Sequence, residues 1–196
     1  AASSTLSGQQ TPGANAAPLP FDPAVTVGTL SNGMRYYIRE NHKPEMRAEL
    51  RLVVNAGSVL EDKDQRGLAH MVEHMAFRGT KKFPGNQVSS YLESVGMRYG
   101  PDINAFTSFD ETVYMITVPT DTAAIVDKGF QILSEWAHNL SFDTAQLAKE
   151  RPVVIDEWRL GQGAEHRMQN KRVPILFSGS TYCERLPFGW KSGLEP

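Results

Sequence analysis

Cysteine is almost absent from this 196-residue chain, and its scarcity excludes two kinds of site. Cys183 is the only cysteine, so the chain can form neither an internal disulfide nor a cluster of thiolates around zinc. The sequence also lacks any run of 18 consecutive apolar residues, which is about the length that a membrane-spanning helix needs. We therefore expect no membrane span.

An excess of positive charge is missing as well. Lys and Arg together number 20 against 22 Asp and Glu, which gives a net charge of -2. Proteins that bind nucleic acids or anionic membranes through charge present a basic surface, so the composition argues against both functions. With 40% hydrophobic and 21% charged residues, the chain has the make-up of a globular domain that buries a core.

The first 20 residues contain no charged side chain and are mostly small or polar. Such a segment buries too little apolar surface to offset the entropy lost on ordering, so we interpret residues 1–20 as a flexible leader and 21–196 as the folded domain. A polar leader of this kind is typical of chains that follow a removed secretory signal, which favours export to the periplasm or the medium. An interdomain or cloning linker is the alternative.

Periodicity in residues 25–118 predicts strands with two short helices between them. Asn32-Gly33 is a strong hairpin signal, because both residues tolerate positive φ, and residues 47–54 alternate as a half-buried strand does. Helical spacing and a Gly96 stop predict the two helices. The expected elements are strands at 25–30, 34–39, 47–54, 103–109 and 111–118, and helices at 67–77 and 86–95.

Residues 121–166 favour long helices. Asp121 is a candidate cap for a helix that ends near Leu140, and Asp143 is a candidate cap for the next. Pro152 either interrupts that second helix or begins a new one to about His166; from Val173 onward we expect only loops and short elements. This pattern predicts an α+β fold, with a mostly antiparallel sheet covered by helices on one face.

The segment His70-Met71-Val72-Glu73-His74 carries the clearest chemical signal. Two histidines four residues apart on a helix project from one face and can both reach one zinc ion at about 2.0–2.1 Å. Glu73 lies between them in angle and can reach a water molecule on the same metal. The apolar residues that we place on the core side of this helix are Leu68, Val72, Met75 and Ala76.

Two histidines do not complete a catalytic zinc site, which usually has three protein ligands. In the absence of a usable cysteine pair, the third ligand is expected to be Asp, Glu or another His. Glu150 and Glu157 are candidates, two helical turns apart, with apolar residues around Glu157. For either carboxylate alone, a solvated helix face is the ordinary alternative.

Four stretches together resemble the pitrilysin or insulinase-type zinc peptidases, the inverzincins, in which the usual His-Glu-x-x-His order is reversed. They are the 70–74 motif, Asn104-Ala105-Phe106-Thr107, the 150–157 segment and Arg185-Leu186-Pro187-Phe188-Gly189. The resemblance extends over residues 25 to about 189. It implies the domain fold of that family, incomplete at its C-terminus.

The resemblance also implies roles for the site residues. His70, His74 and Glu157 would bind one Zn²⁺ per chain, Glu73 would be the general base, and Glu150 would support the site from outside the ligand set. The separation of His74 and Glu157 is a few residues longer than in the insulin-degrading members, as an insertion near residues 99–103 would explain. Glu150 therefore stays a rival ligand.

The expected helix break distinguishes Glu150 from Glu157 as candidates for the third zinc ligand. If Pro152 begins a new helix, Glu157 lies inside a rigid element and Glu150 lies before the break. A ligand must hold its geometry within about 0.5 Å, so we expect Glu157 to coordinate the metal directly.

By the same resemblance, Asn104, Ala105, Phe106 and Thr107 form a strand edge beside the metal, where they would bind substrate. An extended peptide can add to such an edge through main-chain hydrogen bonds, which makes little demand on its sequence. An ordinary sheet strand is the alternative interpretation of these four residues.

The implied function is that of a zinc metalloendopeptidase that hydrolyses short or unfolded peptides with a zinc-activated water. Family members enclose the substrate between related domains, so we expect this chain to be the N-terminal part of a longer enzyme. One alternative is a zinc-binding subunit or fragment that is inactive until it meets a partner half or a second copy. Another is a peptide-binding module that uses the strand edge alone.

Overall fold

The computed structural model describes residues 20–189, and the chain divides between Glu45 and Met46 into two compact units. In the first unit, β1 (Val25–Thr29) pairs antiparallel with β2 (Arg35–Arg39). Gly33 has φ +86° in the turn, and Asn32 Oδ1 accepts from the Met34 amide at 3.0 Å. The predicted hairpin is confirmed. The leader lies outside the described residues except for Pro20, and one domain over 21–196 stays a prediction.

The second unit contains a three-stranded antiparallel sheet. Its strands are β3 (Arg47–Val54), β4 (Ile103–Thr107) and β5 (Thr112–Pro119), in the order β3–β5–β4. β5 lies in the centre and pairs with a strand along each of its edges, and its residues are buried or partly buried throughout. β4 forms an edge of this sheet, as expected for the 104–107 stretch.

Helices cover the face of the sheet on which the apolar residues of β3 lie. Along β3, residues at even positions are partly buried and those at odd positions are exposed, as the alternation predicts. The even residues of β5 face the same way. The buried residues of this core are Ala76, Val88, Leu92, Met97, Ile103, Tyr114, Ile116, Val118, Ile132 and Trp136.

Five α-helices follow the chain order α1 (Leu68–Ala76), α2 (Gln87–Ser94), α3 (Ala123–His138), α4 (Thr144–Leu160) and α5 (Ala164–Leu176). Short 3₁₀ turns occupy Ser58–Leu60 and Thr181–Glu184. α3 packs closely on β3 and β5 at Gly129, where a Cβ atom would come within 2.8 Å of Leu50 Cδ1. A side chain at this position would require the end of the Leu50 side chain to move.

α1 contacts the sheet and also packs against α4. On the sheet side, Trp136 Nε1 donates to the carbonyl of Ala76 at 2.9 Å. On the α4 side, Met71, Met75 and Val154 form a second buried cluster, and burying each such side chain contributes roughly 1.5–3 kcal/mol. The expected core side of α1 needs one correction, because Leu68 is exposed and Met71 is buried instead.

The structure corrects the expected pattern around Pro152. α4 runs through this proline without a break and ends at Gly161, and α5 begins after Gly163. Proline costs a helix one hydrogen bond but its φ is helical, and packing of α4 against α1 through Val154 offsets that loss. Glu150 and Glu157 therefore lie on one continuous helix, so the expectation that a break separates them is wrong.

Of three further expectations about helix ends, one is confirmed and two are wrong. Asp143 Oδ1 caps α4 by accepting from the Gln146 amide at 2.9 Å, as predicted. The cap residue of α3 is Thr122 rather than Asp121, and it makes no side-chain cap bond. α5 continues through Val173 to Leu176, where we expected only loops.

The described residues thus have the predicted α+β architecture, in which helices cover one face of an antiparallel sheet. Between residues 20 and 189, no helix combines the length and the apolar character needed to cross a bilayer.

Candidate metal centre

The two histidines of α1 lie one turn apart with their rings edge to face. Their ring centroids are 4.7 Å apart, and the two Nε2 atoms approach to 3.3 Å. The start of the helix is fixed by Glu61, whose carboxylate accepts from the amides of Gly67 at 3.0 Å and Ala69 at 2.8 Å. Negative charge is favourable at this end of a helix.

α4 brings the Glu157 carboxylate to both rings. Glu157 Oε2 lies 3.2 Å from His74 Nε2 and 3.7 Å from His70 Nε2. An ion bound tetrahedrally at about 2.0–2.2 Å would set its donors about 3.3–3.6 Å apart. The three atoms fit that spacing, and they form the one such group of donors among residues 20–189.

Glu150 takes a different position. Its side chain is buried, and Oε1 accepts from His74 Nδ1 at 2.8 Å while Oε2 accepts from Arg78 Nε. Glu150 therefore contacts the far nitrogen of His74 rather than the point at which the two Nε2 atoms converge. A carboxylate on the second nitrogen of a histidine fixes the orientation of the ring.

The carboxylates favour the charged form of His74. Burial lowers its pKa, but hydrogen bonds to Glu150 and Glu157 outweigh burial and raise the pKa to about 9. The hydrogen bond with His74 lowers the pKa of Glu157, and burial, which raises that pKa, has the smaller effect. Burial raises the pKa of Glu150, but the bonds from His74 and Arg78 reverse that shift and leave it below the usual value.

His70 is buried. Burial, reinforced by repulsion from His74, lowers its pKa to about 4, although Glu157 acts in the opposite sense. Within residues 20–189, its Nδ1 atom is buried and has no hydrogen-bond partner. The ring of Phe188 packs against the imidazole edge to face, with centroids 5.0 Å apart.

Glu73 is buried on the same helix, beside the two histidines. Its carboxylate Oε2 accepts a 2.6 Å hydrogen bond from the Thr107 hydroxyl. Burial raises the pKa of Glu73, and the Thr107 bond and the charge of His74 oppose that rise. A raised pKa moves a carboxylate towards the range in which it can accept and return a proton near neutral pH.

The edge of β4 is open over only part of its length. Asp102 accepts from Thr117 of β5, and Ser108 donates to Glu111 directly before β5. Because bonded pairs alternate in an antiparallel ladder, the main-chain groups of Ile103, Ala105 and Thr107 point away from β5. The N–H and C=O of Ile103 are already bonded to residues 98 and 100, at 3.1 and 3.0 Å. Ala105 and Thr107 therefore carry the accessible main-chain groups of this edge.

The four residues of the 104–107 stretch have distinct surroundings. Asn104 Oδ1 accepts from the Ala105 amide at 2.9 Å, Phe106 is exposed, and Thr107 bonds to Glu73. A cavity of about 450 Å³ lies beside them. Its walls include Glu73, His74, Phe77, Arg78, Ser89, Tyr99, Asn104, Ala105 and Glu150.

The sequence analysis predicted no role for three residues that shape this centre, although one of them, Phe188, stands in the 185–189 stretch of the family resemblance. Glu61 anchors the start of α1, Arg78 shares Glu150 with His74, and Phe188 covers His70. Arg78 stands four residues after His74, so helical spacing could have indicated that both face α4. Glu61 and Phe188 gave no periodic signal, because loops bring them to the site.

The sequence of this chain is similar to those of known proteins over most of its length. The family model of insulinase, peptidase family M16, matches residues 36–182. The probable zinc protease PqqL of Haemophilus influenzae is 44% identical over 171 residues, which cover 87% of this chain and 18% of that protein. The zinc protease PQQL-like of Arabidopsis thaliana is 44% identical over 162 residues, or 83% of this chain and 17% of that protein.

A solved structure agrees with these relatives. The first half of the periplasmic protease PqqL from Escherichia coli matches with a TM-score of 0.87 and 39% identity, over 91% of this chain and 38% of that one. The chain spans less than a fifth of the length of the two curated relatives. With its family model matched over most of its length, the chain belongs to the insulinase family, peptidase family M16.

Proposed function

We propose that this chain is the zinc-binding catalytic part of a peptidase that hydrolyses short or unfolded peptides. The observation that carries the proposal is the convergence of His70 Nε2, His74 Nε2 and Glu157 Oε2, 3.2–3.7 Å apart, beside the buried carboxylate of Glu73. These three residues would hold one zinc ion. Two imidazoles and a carboxylate are a common ligand set of catalytic zinc.

Zinc in such a site supplies Lewis acidity, which polarises a peptide carbonyl and makes water acidic enough to be deprotonated near neutral pH. Glu73 would take the proton of the attacking water and deliver it to the leaving amine. Thr107 holds one carboxylate oxygen of Glu73, which fixes the orientation of the base. Glu150 would hold His74 from its Nδ1 side.

The substrate would bind as an added strand along β4. Ala105 and Thr107 direct main-chain groups to the open edge, and both lie beside Glu73 or its cavity. The Asn104 side chain already bonds to the Ala105 amide, so it would turn aside when a peptide carbonyl takes its place. Main-chain bonding explains how varied sequences could be accepted.

The small share of its relatives' length that this chain spans favours a second candidate function. Because the chain spans under a fifth of its curated relatives, it would be a fragment that binds zinc but needs a partner half or a second copy for full activity. The E. coli relative is a periplasmic protease, and we propose an exported location for this chain as well.

The test combines metal analysis with peptide cleavage. We expect about one zinc per chain, cleavage of a generic unfolded peptide, and loss of cleavage when a chelator removes the metal. Glu73→Gln should keep the zinc and lose about 10²–10⁴-fold of the rate, the usual contribution of a general base. Unchanged turnover in this variant would exclude the role of Glu73.

Controls separate the alternatives. Zinc without cleavage would support the fragment that needs a partner. Peptide binding that survives removal of zinc, without cleavage, would support a binding module that uses only the strand edge.

A further inference from the structure

The two histidines of the centre are oriented by different means. His74 donates its Nδ1 proton to Glu150 at 2.8 Å, the usual arrangement by which a zinc histidine is held. The Nδ1 atom of His70 is buried and has no hydrogen-bond partner among residues 20–189. Some other contact must therefore fix the rotation of the His70 ring.

The aromatic ring of Phe188 supplies that contact. It meets the imidazole at 71°, with centroids 5.0 Å apart, which is the edge-to-face geometry that aromatic pairs prefer. Phe188 is 38% exposed, so burial in the core alone does not explain its position. It contacts an imidazole whose Nδ1 atom has no polar partner among residues 20–189.

The residues around Phe188 hold it against α1. Arg185 is buried, donates from Nε to the carbonyl of Glu61 at 2.7 Å, and accepts at its own carbonyl from the Ser58 hydroxyl at 2.6 Å. Glu61 in turn caps the start of α1. The segment 185–189 is therefore joined to the same anchor that fixes the helix carrying His70.

Gly189 completes this junction. It has φ +63°, and a Cβ atom on it would lie 2.6 Å from the Cα and N atoms of Gly67. Two backbones approach this closely only where a side chain is absent. This contact lies directly before α1, three residues from His70.

We propose that Phe188 is a positioning residue, which fixes the imidazole of His70 for zinc through the junction of segment 185–189 with the start of α1. This inference rests on the proposed function, since it takes His70 to be a zinc ligand. In this centre, the ring contact with Phe188 fixes the orientation of His70, as the hydrogen bond with Glu150 fixes the orientation of His74.

The test measures zinc affinity of the 196-residue chain by competition with a chromogenic chelator, and the visible spectrum of the Co²⁺-substituted protein. Phe188→Leu keeps apolar volume but removes the ring, and it should weaken zinc binding about 10–100-fold, as loss of an orienting partner does. Phe188→Tyr keeps the ring edge and should retain the affinity and Co²⁺ spectrum of the unchanged chain. Phe177→Ala, at a similarly exposed aromatic residue (41%), is the matched control and should bind zinc normally.

Thermal unfolding of the metal-free variants checks that each is folded. The inference is overturned if Phe188→Leu binds zinc as tightly as the unchanged chain with the same Co²⁺ spectrum, or if Phe177→Ala loses as much affinity. Unfolding of Phe188→Leu would also overturn it, because the segment would then be a folding element. Absence of zinc from the unchanged chain would instead refute the proposed function, and this inference with it.

Discussion

The candidate centre has a polar side and an apolar side. On the polar side, His74 bonds to Glu150, and Glu150 also binds Arg78, so that charges compensate one another below the surface. On the apolar side, His70 packs against Phe188, and its Nδ1 atom has no hydrogen-bond partner among residues 20–189. The pKa of His74 is raised to about 9 and that of His70 is lowered to about 4, although one helix carries both.

This difference shows that helical spacing alone does not determine the chemistry of two histidines. Spacing places both Nε2 atoms at one point, but residues from α4 and from segment 185–189 decide their charge. Without metal, the polar side holds a proton and the apolar side excludes one. The two sides should therefore respond differently to substitution and to pH.

The largest expected effect is loss of zinc affinity when either histidine is replaced. Structural zinc sites with four ligands bind the metal with a free energy of about 10–16 kcal/mol. Each ligand then contributes about 3 kcal/mol, which corresponds to roughly a hundredfold in affinity. His70→Ala and His74→Ala should both lose at least that much by chelator competition. Exposed His138 on α3 offers the matched control, and His138→Ala should bind zinc normally.

Stability of the metal-free protein should separate the two sides. His74→Ala leaves the buried Glu150 carboxylate with Arg78 but without its second partner, which should cost about 1–3 kcal/mol of the free energy of unfolding. His70→Ala removes a nitrogen that already lacks a partner, so it should cost less. Denaturant unfolding of the metal-free variants measures both, and equal losses would contradict the distinction.

A somewhat smaller difference is expected between the two carboxylates of α4. Glu157→Ala removes an atom 3.2 Å from His74 Nε2 and should reduce zinc affinity roughly a hundredfold or more, as a lost ligand does. Glu150→Ala removes only the support of His74 and should cost about 10–100-fold. Asp156→Ala, on the same helix and exposed, controls for general effects.

The assignment is reversed if Glu150→Ala empties the site while Glu157→Ala keeps its metal. Metal analysis of the purified variants decides between these outcomes without any need for catalysis.

The sequence was most informative where one short segment determines geometry. Alternation predicted β3 and β5, and the spacing of His70 and His74 placed both rings together on α1. The Asn32-Gly33 turn predicted the hairpin for the same reason, because its signal is local.

Long-range contacts were not predictable in this way. We predict from the sequence that Pro152 starts a helix, but packing of α4 against α1 keeps the helix continuous. Rules based on neighbouring residues cannot predict this packing, because α1 and α4 are far apart in the sequence. The choice of Glu157 over Glu150 rested on that break, so the reason given for it was wrong, although Glu157 is the carboxylate that meets both Nε2 atoms. Phe188 reaches His70 across 118 positions of sequence, which no periodicity could indicate.

The smallest effect, and the sharpest test of the two sides, is the number of protons that zinc displaces. Imidazoles and carboxylates bind zinc in their deprotonated forms. At pH 6, His70 is already neutral because its pKa is about 4, and Glu157 is ionised because the bond with His74 lowers its pKa. His74, with its pKa raised to about 9, still holds a proton that must leave.

Zinc binding at pH 6, where water on the metal still keeps its protons, should therefore release about one proton, and the apparent affinity should rise about tenfold per pH unit between about pH 5 and 6.5. Calorimetry in buffers of different ionisation enthalpy measures this number. Glu150→Gln removes a carboxylate that raises the His74 pKa, so it should release measurably fewer protons than the unchanged chain at pH 8, whereas Asp156→Asn should match the unchanged chain. Release of two protons at pH 6 would mean that His70 is charged too, and release of none would mean that His74 is neutral; either result would remove the contrast between the two sides.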